Sequence, residues 1–195
     1  MLNLARSHSE FGARRVIEKP IRKIAVVGNA GGGKTTLSRR LAEIYQLPLT
    51  HVDAIQFVPE MQIRPFAESI EILSKIQDGE SWIIDGFGPL DIIEKRFAKA
   101  DLILFIDGPL WRHYWWCTKR QIQSLWSPRK ELPEGCDEVS LAHTMKLYKT
   151  LWRVHKQMRP ELLRIFAREN NKNKVIHVRT LREWQQIYRC GLPTR

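Results

Sequence analysis

Apolar and polar positions alternate along this chain in two rhythms. Short continuous apolar runs at 24–27, 82–84 and 102–106 read as strands buried on both faces, the pattern of a parallel sheet covered by helices, and Lys174-Val175-Ile176-His177-Val178 reads as a last strand. Leu49-Thr50-His51-Val52 is a further short strand. Between the runs the spacing turns helical: Leu37, Leu41 and Ile44 ahead of Pro48, Phe66, Ile70 and Leu73 up to the breaker Asp78-Gly79, and a helical segment at 90–99. Beyond Asp107-Gly108-Pro109 an aromatic and basic helical stretch runs from Trp111 to Trp126, then gives way to residues 127–136, whose prolines, glycine and charges break any regular element. A long helical stretch from about Ser140 to Arg168 follows, with Leu147, Leu151, Val154 and Met158 as its stripe and an interruption near Arg159-Pro160. Thr180 and Glu183 have the spacing of a capping box for the last helix. Strands alternating with helices predict an α/β fold, with a five-stranded parallel sheet between two helical layers.

The turn after the first run carries the strongest chemical signal. Gly28-Asn29-Ala30-Gly31-Gly32-Gly33-Lys34-Thr35 fits G-x-x-x-x-G-K-[ST], with a buried strand before it and a helix start from Thr36 onward. Glycines let consecutive backbone N–H groups turn onto phosphate oxygens, and the positive end of the following helix favours negative charge there. Gly28, Asn29, Ala30, Gly31, Gly32, Gly33, Lys34, Thr35 and Thr36 form the predicted cradle. Lys34 is placed for the β- and γ-phosphates and the Thr35 hydroxyl for Mg²⁺. The expected ligand is a nucleoside triphosphate with Mg²⁺.

Two carboxylates fall at the carboxyl ends of predicted strands, the edge where open parallel sheets bind ligands. Asp85, followed by Gly86-Phe87-Gly88-Pro89, is a candidate to hold Mg²⁺ directly or through water. Asp53, after the second strand, reads equally as a metal-site residue and as a helix N-cap. The net charge of +11 is uneven, with cations in excess before residue 24 and after residue 110 and a net acidic stretch between. A basic second half behind a phosphate loop fits an anion clamp, for polyphosphate or for nucleic acid. Trp111, Trp115, Trp116, Trp126 and Trp152 read as core or lid packing, with base stacking as the alternative.

With 195 residues and 43% hydrophobic content, the chain suits a basic arm at 1–20 and one domain over 21–195 with a lid insertion at about 111–139. Arg6, Arg14, Arg15 and Lys19 mark the arm, for which an organelle transit peptide is the alternative reading. No apolar run approaches the roughly 18 to 20 residues of a membrane span, and the first twenty residues lack a secretory h-region, so a cytoplasmic location is expected. Cys117, Cys136 and Cys190 are widely separated and predict reduced thiols.

The Gly28–Thr35 loop, the run Leu47-Pro48-Leu49-Thr50-His51-Val52-Asp53 and Trp82-Ile83-Ile84-Asp85-Gly86 together resemble the nucleoside monophosphate kinase group of P-loop proteins. Pro109-x-Trp111, Lys119-Arg120, Glu134-Gly135-Cys136 and Arg159-Pro160 resemble the adenylate-kinase-related family often labelled DNA topology modulation protein FlaR-like. The resemblance implies a P-loop NTPase with sheet order 2-3-1-4-5, ATP in the phosphate loop, and a basic helical lid closing on the phosphates. It also implies a phosphotransferase in which Lys34 and the lid arginines Arg120, Arg129 and Arg159 neutralise developing charge, acting on a nucleotide or other small acceptor. Adenylate kinases carry Asp-Gly-Phe-Pro-Arg at the third strand, where this chain reads Asp85-Gly86-Phe87-Gly88-Pro89-Leu90. Without that arginine, weak or absent AMP phosphorylation is expected, with the real acceptor either gripped by arginines from elsewhere, such as Arg153 or Arg159, or lacking a phosphate altogether. The competing class is an ATP-dependent nucleic-acid-associated switch using the basic C-terminal half.

Overall fold

The most apolar strands take the centre of the sheet, because a strand flanked on both sides and covered on both faces has nowhere to place a polar side chain. The computed structural model describes residues 20–58, 62–88, 90–124 and 141–193. In chain order the strands are β1 (Lys23–Gly28), β2 (Leu49–His51), β3 (Phe57–Val58), β4 (Gln62–Ile63), β5 (Trp82–Asp85), β6 (Leu102–Ile106) and β7 (Val175–Val178). The helices are α1 (Lys34–Tyr45), α2 (Val52–Gln56), α3 (Phe66–Asp78), α4 (Leu90–Lys99), α5 (Leu110–Ser124), α6 (Leu141–Arg153), α7 (Arg159–Ala167), α8 (Glu169–Lys172) and α9 (Leu181–Cys190).

Five strands pair in parallel in the order β2-β5-β1-β6-β7. Counted over all strands the order is 2-5-1-6-7 rather than the expected 2-3-1-4-5, which describes the sheet strands only when they are renumbered by themselves. The difference is the antiparallel hairpin β3-β4, whose two-residue strands are too short to show a readable alternation. Leu37 and Leu41 of α1 and Ile187 of α9 close one face over Ile24, Val26 and Leu104. On the other face, Leu73 of α3, Phe97 of α4 and Phe166 of α7 pack over Ala25, Ile84 and Phe105. The result is the expected three-layer α/β/α arrangement.

The long helical stretch is broken where the sequence places it. Pro160 has no N–H for the i−4 carbonyl, and the helix widens just ahead of it. Residues Val154–Met158 form a π turn, with the Arg159 N–H bonded to Val154 O five residues back. The capping box of α9 forms as expected, Thr180 accepting from the Glu183 N–H while Glu183 reaches back to the Thr180 N–H. The arm at 1–19 and most of the lid region, residues 125–140 with Arg129, Trp126 and Cys136, lie outside the described residues. Cys117 and Cys190 are thiols without a disulfide. Among the described residues, no helix is long and apolar enough to cross a membrane.

Parallel pairing puts every strand's carboxyl end on one edge, and the register aligns it: His51 lies opposite Asp85, Asp85 opposite Val26, and Gly28 opposite Ile106. Asp107 follows at the end of β6. The phosphate loop and all the candidate carboxylates therefore emerge on the same rim, with Asp53 in the first turn of α2 just beyond β2.

Candidate active site

The loop between β1 and α1 is shaped by close approach. Gly28 has φ +148°, and a Cβ there would lie 2.2 Å from Ile106 O. At Gly31, φ +68°, a Cβ would come within 2.7 Å of both Cys117 Sγ and His113 O of α5, so no larger residue fits at either position. Asn29 ties the loop to α6, its Nδ2 donating to Leu151 O at 2.8 Å while its Oδ1 accepts from the Ala30 N–H at 2.9 Å. His113 Nδ1 lies 2.8 Å from Ala30 O. Burial holds His113 below the ordinary histidine range despite that bond, so at neutral pH it serves as an uncharged brace. Trp184 of α9 donates to Gly33 O at 3.4 Å. Three helices thus fix the loop from outside; Asn29 belongs to the predicted cradle, whereas His113 and Trp184 are functional positions that spacing alone did not single out.

The helix that follows presents its positive end bare. Gly33 precedes α1 without a side chain to cap it, and the first turn holds no acidic residue, leaving the first N–H groups as an anion site. Lys34 Nζ rests 3.1 Å from Asn29 O, over the loop, and Thr36 is exposed at its end.

Thr35 and Asp85, fifty positions apart, meet directly: the Thr35 hydroxyl donates to Asp85 Oδ2 at 2.9 Å. His51 Nδ1 lies 3.1 Å from the same oxygen. Asp85 is buried, and its Oδ1 has no hydrogen-bond partner among the described residues. A buried carboxylate oxygen beside a hydroxyl is a hard-oxygen donor set, and it fits Mg²⁺. Among the described residues no group of three His, Cys, Asp or Glu side chains converges on one point, so a cation here would draw its remaining ligands from water or phosphate. Asp53 is exposed in the first turn of α2.

The arginines separate. Arg120 Nη2 lies 3.9 Å from Cys117 Sγ, and Cys117 packs on Gly31, so Arg120 stands one side chain from the phosphate loop. Arg159 is engaged elsewhere, forking onto Asp107 with Nε to Oδ1 at 2.7 Å and Nη2 to Oδ2 at 2.9 Å. His177 Nε2 lies 2.7 Å from the same carboxylate, and Arg179 donates to His177 Nδ1. Burial alone would push the Asp107 carboxyl up, but the bonds from Arg159 and His177 and the charge of Arg159 outweigh it and hold the group below the usual range.

One cation was missed. Arg96 of α4 is fully buried, and its Nη1 donates to Gly86 O at 2.7 Å. Desolvation lowers its pKa to about 10, opposed by the attraction of Asp85. The charge expected to be absent near residues 88–90 is therefore supplied from the next helix. The signal was legible: position 96 shares the buried face of Ile92, Ile93, Phe97 and Ala100, a place where an arginine is rare without a role.

No family model and no curated protein sequence matches the chain. Among solved structures, a shikimate kinase from Acinetobacter baumannii in complex with shikimate is similar over 87% of this chain and 89% of its own, with TM-score 0.54 and 13% identity. A shikimate kinase from Bacteroides thetaiotaomicron aligns over 87% of this chain and 95% of its own at 12% identity, with TM-score 0.49. The first of these likenesses, at such low identity, establishes the fold: the chain has the three-layer α/β architecture also used by a shikimate kinase.

Proposed function

We propose that this chain is an ATP- and Mg²⁺-dependent phosphotransferase of nucleoside-monophosphate-kinase type, moving the γ-phosphate to a nucleotide or other small acceptor, in the cytoplasm. The observation that carries the reading is the 2.9 Å contact between Thr35 and Asp85, which joins a glycine cradle for phosphate to a buried carboxylate with an unused oxygen. Thr35 and Asp85 would hold Mg²⁺, which when bound neutralises charge on the phosphate oxygens. The loop N–H groups and the bare end of α1 orient the phosphates, and Lys34 stands 3.1 Å from the loop carbonyl it would leave for them. His51 holds Asp85 in place. Arg120, with Arg129 of the lid, would add positive charge from the α5 side; Arg159 would act there only after leaving Asp107. In-line transfer needs this positioning and charge neutralisation more than covalent help.

The finer assignment to the adenylate-kinase-related, FlaR-like family rests on the motifs quoted above. The nucleic-acid reading gains no support from the structural likeness. The test is labelled γ-phosphate transfer from ATP to a panel of small acceptors: nucleoside monophosphates, sugars and hydroxy acids. Mg²⁺-dependent labelling of one acceptor class supports the reading, and label appearing only as free phosphate across the panel contradicts it.

A further inference from the structure

Arg96 is a buried cation left mostly unbonded. A guanidinium carries five N–H donors in a fixed fork. Here Nη1 donates to Gly86 O, while Nε and Nη2 have no hydrogen-bond partner among the described residues. Charged donors taken out of water without partners are strongly disfavoured, so a sequence that keeps one has a partner for it in some state of the protein.

The geometry says where that partner arrives. The position a Cβ on Gly88 would occupy lies 3.1 Å from Arg96 Nη2, 3.1 Å from Val52 Cγ1 and 3.3 Å from Leu73 Cδ1. The free edge of the guanidinium therefore lies under a bare glycine, where α2, α3 and α4 meet at the carboxyl end of β5. Gly86 and Gly88 have φ of 120° and 70°, so two residues without side chains form the turn over the cation. Asp85, which would hold the metal, precedes that turn directly. The Nε and Nη2 edge is the one with which Arg159 grips both oxygens of Asp107, and it suits any planar or tetrahedral oxyanion.

We propose that Arg96 is the receptor for an oxyanion, a carboxylate or a phosphate, carried by the phosphoryl acceptor, which pairs with the Nε and Nη2 edge when the Gly86–Gly88 turn moves aside. The proposal rests on the kinase reading above and narrows it to anionic acceptors. It also removes the reason for expecting poor AMP phosphorylation, since the cation missing from residues 88–90 is present at 96.

The test uses the full chain with ¹⁵N-labelled arginine and follows the Arg96 Nε–H resonance, identified by its loss in Arg96→Lys. With Mg²⁺ and a non-hydrolysable ATP analogue filling the phosphate loop, inorganic phosphate and, separately, acetate are titrated against a sodium chloride control. A saturable shift with phosphate, acetate or both is expected, and the responding ion tells phosphate from carboxylate. Arg96→Gln should weaken binding of that ion by about 10²-fold, the scale for losing one charged donor group, in a chain that still binds the analogue. An Arg96 resonance indifferent to both ions, in a chain whose calorimetry shows the analogue bound, overturns this proposal alone. Undiminished ion affinity in Arg96→Gln does the same. Failure of the wild type to bind the analogue overturns the kinase reading, and this proposal with it. If Arg96→Gln does not fold, the wild-type titration still decides.

Discussion

Asp85→Asn removes one charge and almost no volume, which makes it the sharpest probe of the proposed metal site. The asparagine oxygen can still accept from Thr35, now at 2.9 Å, and from His51, now at 3.1 Å, so the fold should survive. What is lost is the negative charge facing the cation. A pair of unit charges about 4 Å apart is worth roughly 4 kcal/mol at an effective dielectric near 20, and competition from water and phosphate oxygens reduces the net effect. Losses of this kind in active sites run to about 10² to 10³ in rate, roughly 3 to 4 kcal/mol. Arg96, which feels the Asp85 charge, loses its counter-charge as well, so a stability loss of about 1 to 3 kcal/mol accompanies the change. Steady-state kinetics over a range of Mg²⁺ concentrations should show kcat down by about 10² or more and a weaker Mg²⁺ dependence, with calorimetry confirming a folded protein. An Asp85→Asn enzyme that unfolds earlier yet keeps wild-type kcat and Mg²⁺ dependence would refute the reasoning and leave Asp85 a packing residue.

Other consequences are as direct. The folded pKa of Asp107 is depressed, so its stabilisation is complete above the unfolded value of about 3.9 and is lost as pH falls through the folded one. Asp107→Asn should therefore be less stable than wild type at pH 7, by about 1 to 3 kcal/mol, with the gap closing below roughly pH 4 in urea titrations; a gap that does not change with pH would contradict the ion-pair account. If the region 119–135 closes over nucleotide, ATP with Mg²⁺ should slow its proteolysis and hydrogen exchange, whereas equal cleavage with and without nucleotide would reduce Arg120 and Arg129 to surface charges.

The sheet was legible because buried parallel strands need unbroken apolar runs, and residues 24–27 and 102–106 supply them without interruption. The phosphate loop was legible for a different reason: its glycines answer to steric demands such as the 2.2 Å approach at Gly28, and few other sequences meet them. Asp85 could be placed by its position at a strand end, and the structure sets it beside Thr35. The hairpin β3-β4 escaped because two-residue strands carry no period. Asn29, His113 and Trp184 brace the loop through contacts spanning from 83 to 151 positions in sequence, and no local pattern encodes such pairings. Arg159 had the right charge for a lid, but its partner Asp107 lies 52 positions away, so its engagement became visible only in three dimensions. Arg96 was hidden by an expectation borrowed from the β5 turn, although the apolar face of α4 marks it.

The most direct test of the central claim is a calorimetric titration of ATP into the wild-type chain and Lys34→Ala, with and without Mg²⁺. One saturable site per chain is predicted for wild type with Mg²⁺, weakened when Mg²⁺ is withdrawn. Lys34→Ala should weaken it by about 10- to 100-fold, as expected when one charge-assisted contact of roughly 1.5 to 3 kcal/mol is lost. No saturable binding by wild type, or isotherms for the two proteins that superimpose, would contradict it.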